Sequence, residues 1–169
     1  MPTNSLTTTQ NDSTSTLTSA SQIQNETQVL ETRFQSVLSN KLALDYFQKF
    51  AIKEFSVENL LFWLDVELFA AGISCDIEDN YFEERETAVI HARYIYLTYI
   101  NSNAPLQVNL SDDIRKDVTW PIDDEDNVER NMFDEAQVAV YQLMKGHTFT
   151  RFEESTEWEE CVRRKESGI

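Results

Sequence analysis

From about Leu30 onward, apolar residues recur at the three- and four-residue spacing that marks one face of a helix. LETRFQSVL and LALDYFQKFAIKE predict two short helices, the second with Leu44, Phe47 and Ala51 as an inward stripe. Phe55 and Ser56 break the rhythm. Ser56 is placed to cap a helix over 57–71, with Glu58 in its first turn, where the positive end of the helix dipole favours a carboxylate. This stretch, KEFSVENLLFWLDVELF, is apolar around most of its circumference, yet Asn59 stands at its head. Asn costs roughly 0.5 kcal/mol against Ala in a helix interior, so the Glu58-Asn59 pair calls for a reason. Gly72 is a suitable stop.

YFEERETAVIHARYIYLTYI continues the pattern, with Val89, Ala92, Tyr96 and Ile100 on one face and Asn101 and Pro105 marking the end. Ser111 predicts a cap for a helix over 111–119, with Asp112 and Asp113 in its first turn and Asn109 just outside; Trp120-Pro121 is expected to break it. FDEAQVAVYQLMK predicts the last long helix, 133–146, with Phe133, Ala136, Val140, Leu143 and Met144 facing inward and Gly146 as its stop. TFTRFEESTEWEECV supplies one or two short helices after it.

Residues 1–28 lack Lys, Arg and aromatic residues, and their scattered aliphatics keep no period. Such a segment cannot bury enough apolar surface to offset its conformational entropy, so it reads as a disordered Ser/Thr/Asn/Gln-rich head, with residues 29–165 as the folded domain. Three Gly and three Pro in 169 residues are too few for a turn-rich β fold, and the expectation is all-α. A net charge of -16 argues against binding a nucleic-acid backbone, which needs a basic face.

Cys75 and Cys161 lie far apart and read as reduced thiols. No signal peptide, membrane-spanning run or lipidation box is present, which predicts a soluble cytoplasmic protein. The acidic run DDEDNVE lacks the register of an EF-hand loop and reads as a solvated loop, so no metal is expected. His91 and His147 fall in no metal-ligand spacing, and neither a phosphate-binding glycine loop nor a nucleophile elbow exists. No cofactor and no intrinsic catalytic site are predicted.

Four segments, FSVENLLFWLDVE, APLQVNL, FDEAQVAVYQLM and FTRFEES, resemble in order and spacing the signature segments of the regulator of G-protein signalling (RGS) domain, over about Leu30 to Val162. The resemblance implies about nine helices, a four-helix bundle packed on a terminal helical subdomain. It implies binding to the GTP-bound α subunit of a heterotrimeric G protein and acceleration of its GTP hydrolysis to end signalling, without a catalytic site in this chain. Contacts with the Gα switch regions are carried over to Glu54, Phe55, Ser56, Glu58 and Asn59, to Asn109, and to Leu143, His147, Thr148 and Arg151. Asn59 and Asn109 are expected to be exposed polar contacts, with the apolar helix as their mount. Phe62, Trp63, Glu67, Phe133, Tyr141 and Phe152 are expected mainly in the core.

Two departures stand out: His147 and Ser111 occupy positions where the family commonly has acids. An RGS-like scaffold or effector domain that binds a partner without stimulating hydrolysis is the alternative, since fold alone does not fix activity. Further partners implied are a receptor or membrane adaptor that recruits the protein to the inner face of the plasma membrane.

Overall fold

The computed structural model describes residues 13–72, 85–123 and 128–167, and every regular element among them is helical. The all-α fold expected from the sequence holds. α1 (Ser13–Ser39) and α2 (Lys41–Lys53) meet at Asn40, whose side-chain Oδ1 accepts from the Ala43 amide at 3.0 Å and so caps α2. α3 (Val57–Ala70) follows, then α4 (Arg85–Ile95), which widens into a π-helical segment, Tyr96–Ile100. α5 spans Asp112–Asp123 and α6 Asp134–Leu143; α6 runs on through a π-helical turn, Met144–Phe149, into the short α7, Thr150–Phe152. α8 (Thr156–Glu166) starts at Ser155, whose Oγ accepts from the Trp158 amide at 3.2 Å.

α3, α4, α5 and α6 pack on one another as a bundle, while α1, α2 and α8 form a second cluster from the two ends of the chain. The clusters share one core. Phe34, Phe47, Phe149 and Phe152 fill the terminal side; Leu60, Phe62, Val66, Phe69, Ile95, Phe133 and Val140 fill the bundle. α3 is central because it is apolar on nearly every side: Leu60, Phe62, Val66 and Phe69 are all buried. Just beyond its end stands Gly72, whose φ of +73° favours a residue without a Cβ, and where a Cβ would also displace the Arg130 guanidinium.

Three boundaries differ from the sequence reading. The head was expected to be disordered to residue 28, but α1 is helical from Ser13; its side chains from Gln22 to Val29 are exposed, so it carries no apolar stripe to betray it. α5 continues through Trp120-Pro121 to Asp123, since a proline in the last turn removes only one amide donor near the helix end. Gly146 does not stop α6. It lacks the positive φ of a C-terminal glycine, and the backbone winds on past it. Residues 1–12, Cys75 and the acidic loop at 124–127 lie outside the described residues; Cys161 is a buried free thiol.

Candidate functional site

The α2–α3 corner is closed by two backbone hydrogen bonds: the Ser56 amide donates to Ala51 O at 2.9 Å and the Phe55 amide to Ile52 O at 3.1 Å. These are the paired bonds of a Schellman motif, in which the residue after the cap adopts left-handed geometry and is usually glycine. Here it is Phe55, at φ 53°. An L-residue in that region costs roughly 1–2 kcal/mol. The cost is not recovered by burial, because the Phe55 side chain is 92% exposed. A large ring is thus held out in solvent on a strained backbone.

Ser56 occupies the N-cap of α3 but makes no side-chain cap bond. Asn59 braces the turn instead: its Nδ2 donates to Ser56 O at 3.3 Å and to Glu58 Oε1 at 3.1 Å. The expectation of an exposed Asn59 is corrected, for it is 7% exposed. Its amide is pinned by the corner it closes. Asn59 Oδ1 and Ser56 Oγ are buried there without a hydrogen-bond partner, leaving acceptor capacity in the corner unused.

Glu54, just before Phe55, accepts from Arg151 Nε at 2.9 Å. An exposed pair of this kind is worth about 0–1 kcal/mol, but it ties the corner to the end of the α6–α7 run. In that run Leu143 is half-buried, and His147 and Arg151 are exposed. Thr148 is buried at 5%, which corrects its expected role as a surface contact: the wide turn rotates it onto the core beside Phe149. His147 offers its backbone carbonyl to Thr150 Oγ1 at 2.9 Å and leaves its ring outward.

Asn109 stands on separate anchors. Residues 107–111 form no regular element and alternate in burial, Val108 and Leu110 inward, Gln107, Asn109 and Ser111 outward, the period of an extended chain. The Leu106 amide donates to Thr98 O at 3.0 Å and the Val108 amide to Tyr99 O at 2.9 Å. The Arg115 guanidinium donates to Ile100 O and, at 3.4 Å, to Val108 O, clamping the loop from beneath. Ser111 caps α5 as expected, through a long 3.4 Å bond from the Ile114 amide.

The arrangement joins Glu54, Phe55, Ser56, Glu58, Asn59 and Arg151 in one bonded corner and presents Asn109 from a braced loop. It has an exposed aromatic, carboxylates, a guanidinium and an exposed amide. Among the described residues no cluster of His, Cys, Asp and Glu could hold a metal ion. Sequence reasoning missed Lys145, buried beneath the wide turn, because a lysine between Met144 and Gly146 reads as solvent-facing.

The regulator of G protein signaling domain, as a sequence family, matches residues 33–161. Regulator of G-protein signaling 12 of Mus musculus is 32% identical over 141 residues, covering 80% of this chain and 9% of that protein. Regulator of G-protein signaling 21 of Homo sapiens is 30% identical over 141 residues, covering 81% of this chain and 82% of that protein. Regulator of G-protein signaling 18 of Mus musculus is 32% identical over 123 residues, covering 70% and 45% respectively. The chain therefore spans only about a tenth of the mouse protein matched first.

Proposed function

Since the chain belongs to the regulator of G-protein signalling family, we propose that it is a GTPase-activating regulator of heterotrimeric G-protein α subunits. Residues 29–165 form the acting domain, preceded by a Ser/Thr/Asn/Gln-rich head whose residues 13–28 extend α1. The observation that carries the reading is the α2–α3 corner, where strain is retained to display Phe55 at 92% exposure. Strained backbone persists where surroundings over-determine it, and such places cluster at functional sites. A solvent-facing ring beside Glu54, Glu58 and Arg151 suits a protein partner, since aromatic and Arg anchors carry most interface energy.

The chain acts without chemistry of its own. Gα supplies in cis the arginine that stabilises phosphoryl charge and the glutamine that orients water. A partner need only hold the switch loops in their transition-state arrangement. Even a hundredfold acceleration requires only about 2.7 kcal/mol of preferential transition-state binding. The corner and the Asn109 loop supply rigid donors and acceptors for this purpose, with Asn109 offering both from one amide.

The protein works in the cytoplasm and is recruited to the inner face of the plasma membrane by a receptor or adaptor. No helix among the described residues is long and apolar enough to cross a membrane. The alternative is a domain that binds a partner without stimulating hydrolysis. Its support is that Asn59 and Thr148 are buried, which withdraws two side chains from the expected contact set.

Binding to Gα carrying GDP with aluminium fluoride, compared with GDP alone, tests the partner. Selective binding to the fluoride form is expected, because the switch arrangement depends on the terminal phosphate. Equal affinity for both forms would overturn the reading.

A further inference from the structure

Beneath the wide turn, on the side away from His147, lies a charge cluster that joins the two halves of the domain. Lys145 is 8% exposed, and its ammonium is 2.5 Å from Glu31 Oε2 on α1. The other carboxylate oxygen of Glu31 accepts from Tyr141 Oη at 2.6 Å and from Gln35 Nε2 at 2.9 Å. The hydrogen bonds from Lys145 and Tyr141 hold the Glu31 carboxyl below its ordinary range. Lys145 also sits 5.6 Å from the centre of the Tyr141 ring.

We propose that the Glu31–Lys145 pair is a positioning device for the partner face, holding the π-helical turn Met144–Phe149 in the winding that sets His147 and Arg151. The inference rests on the Gα-binding reading. Neither residue is placed to touch a partner; both act through the turn.

A π-helical turn holds an extra residue, and each residue of an α-helix turns the chain by about 100°. If the segment rewound as regular α-helix, residues beyond it would rotate by that amount relative to α6, parting Arg151 from Glu54, and His147 within it would turn part of the way. The wide winding brings Lys145, Thr148 and Phe149 inward together. A buried ammonium is tolerated there only because Glu31 pairs with it. Without that carboxylate, the charge drives the turn to rewind toward water.

α1 stays docked by a second, apolar link: the Phe34 ring lies 5.0 Å from Tyr141 and 4.9 Å from Phe149. A variant lacking the pair should therefore still fold.

The test uses the full chain, Glu31→Gln, Lys145→Met, and the charge swap Glu31→Lys with Lys145→Glu, with folding checked by circular dichroism. Amide hydrogen exchange over residues 144–150 reports the turn directly, and titration of Gα with GDP and aluminium fluoride reports the face. Glu31→Gln is expected to speed exchange and weaken affinity, each by about tenfold. The swap is expected to recover most of both. Lys145→Met, which removes the charge itself, is expected to exchange more slowly than Glu31→Gln; unchanged exchange in Glu31→Gln, exchange as fast in Lys145→Met as in Glu31→Gln, or faster exchange with wild-type affinity would overturn the proposal. Failure of the wild-type chain to bind would sink the Gα reading, while the exchange result still judges the turn.

Discussion

Phe55→Gly separates what the α2–α3 corner costs from what it does. At φ 53° the wild-type residue carries roughly 1–2 kcal/mol of strain that glycine lacks. Glycine gives back about 0.4–1 kcal/mol through the greater freedom of the unfolded chain. With the ring 92% exposed, little apolar burial is lost. The net expectation is a gain of about 0.5–1 kcal/mol, a rise in Tm of about 1–4 °C. Affinity for the transition-state form of Gα should fall by at least about thirtyfold, the loss of one aromatic anchor worth about 2 kcal/mol. Phe55→Ala is the control. It removes the ring but keeps a Cβ in the left-handed region, so it should lose affinity without gaining stability. Thermal unfolding and calorimetric titration provide the two readouts. A Phe55→Gly protein less stable than wild type, or one that binds Gα unimpaired, would refute the reasoning.

Asn59→Ala should lower unfolding free energy by about 1–3 kcal/mol, because it removes both bonds of a buried amide, whereas the exposed Asn109→Ala should change stability by less than about 0.5 kcal/mol. Both should reduce GTPase stimulation by about tenfold or more in single-turnover assays, so chemical denaturation distinguishes the brace from the contact. His147→Asp should tighten binding to Gα, since an exposed carboxylate at that position can accept several hydrogen bonds whereas an imidazole can accept at most one; unchanged affinity would mean that the ring does not meet the partner. Burial raises the Glu153 carboxyl pKa despite the opposing Arg33 charge, so ionising it costs stability once pH exceeds its unfolded value. Glu153→Gln should therefore be more stable than wild type at pH 7, with the gap shrinking as pH falls toward the unfolded value of about 4.5 and gone below it; an equal gap at pH 7 and at about pH 4 would contradict this.

α3 was legible because it is apolar almost all round, and α2 because its stripe has helical spacing. α1 before Leu30 was not, since an exposed polar helix carries no apolar period. Gly146 misled for a definite reason: glycine stops a helix by taking a positive φ, and whether it does so is decided by packing around the turn. The same packing buries Lys145 and Thr148, against the usual preference of such residues for solvent. At the candidate site, the family resemblance pointed to the corner and the Asn109 loop, and the alternation of Val108, Asn109 and Leu110 places Asn109 outward. The strain at Phe55 was invisible, because nothing in the letters KEFS states a dihedral angle. Asn59 is unusual at the head of so apolar a helix, and the letters alone do not show that its amide works inside the corner, on Ser56 and Glu58.

Single-turnover hydrolysis of GTP preloaded on a cognate Gα, followed with and without this protein, tests the central claim most directly. The account predicts acceleration that saturates with added protein and is lost in Asn109→Ala and Phe55→Ala. Binding to the same Gα with no change in hydrolysis rate would contradict it and leave a domain that recognises the partner without activating it.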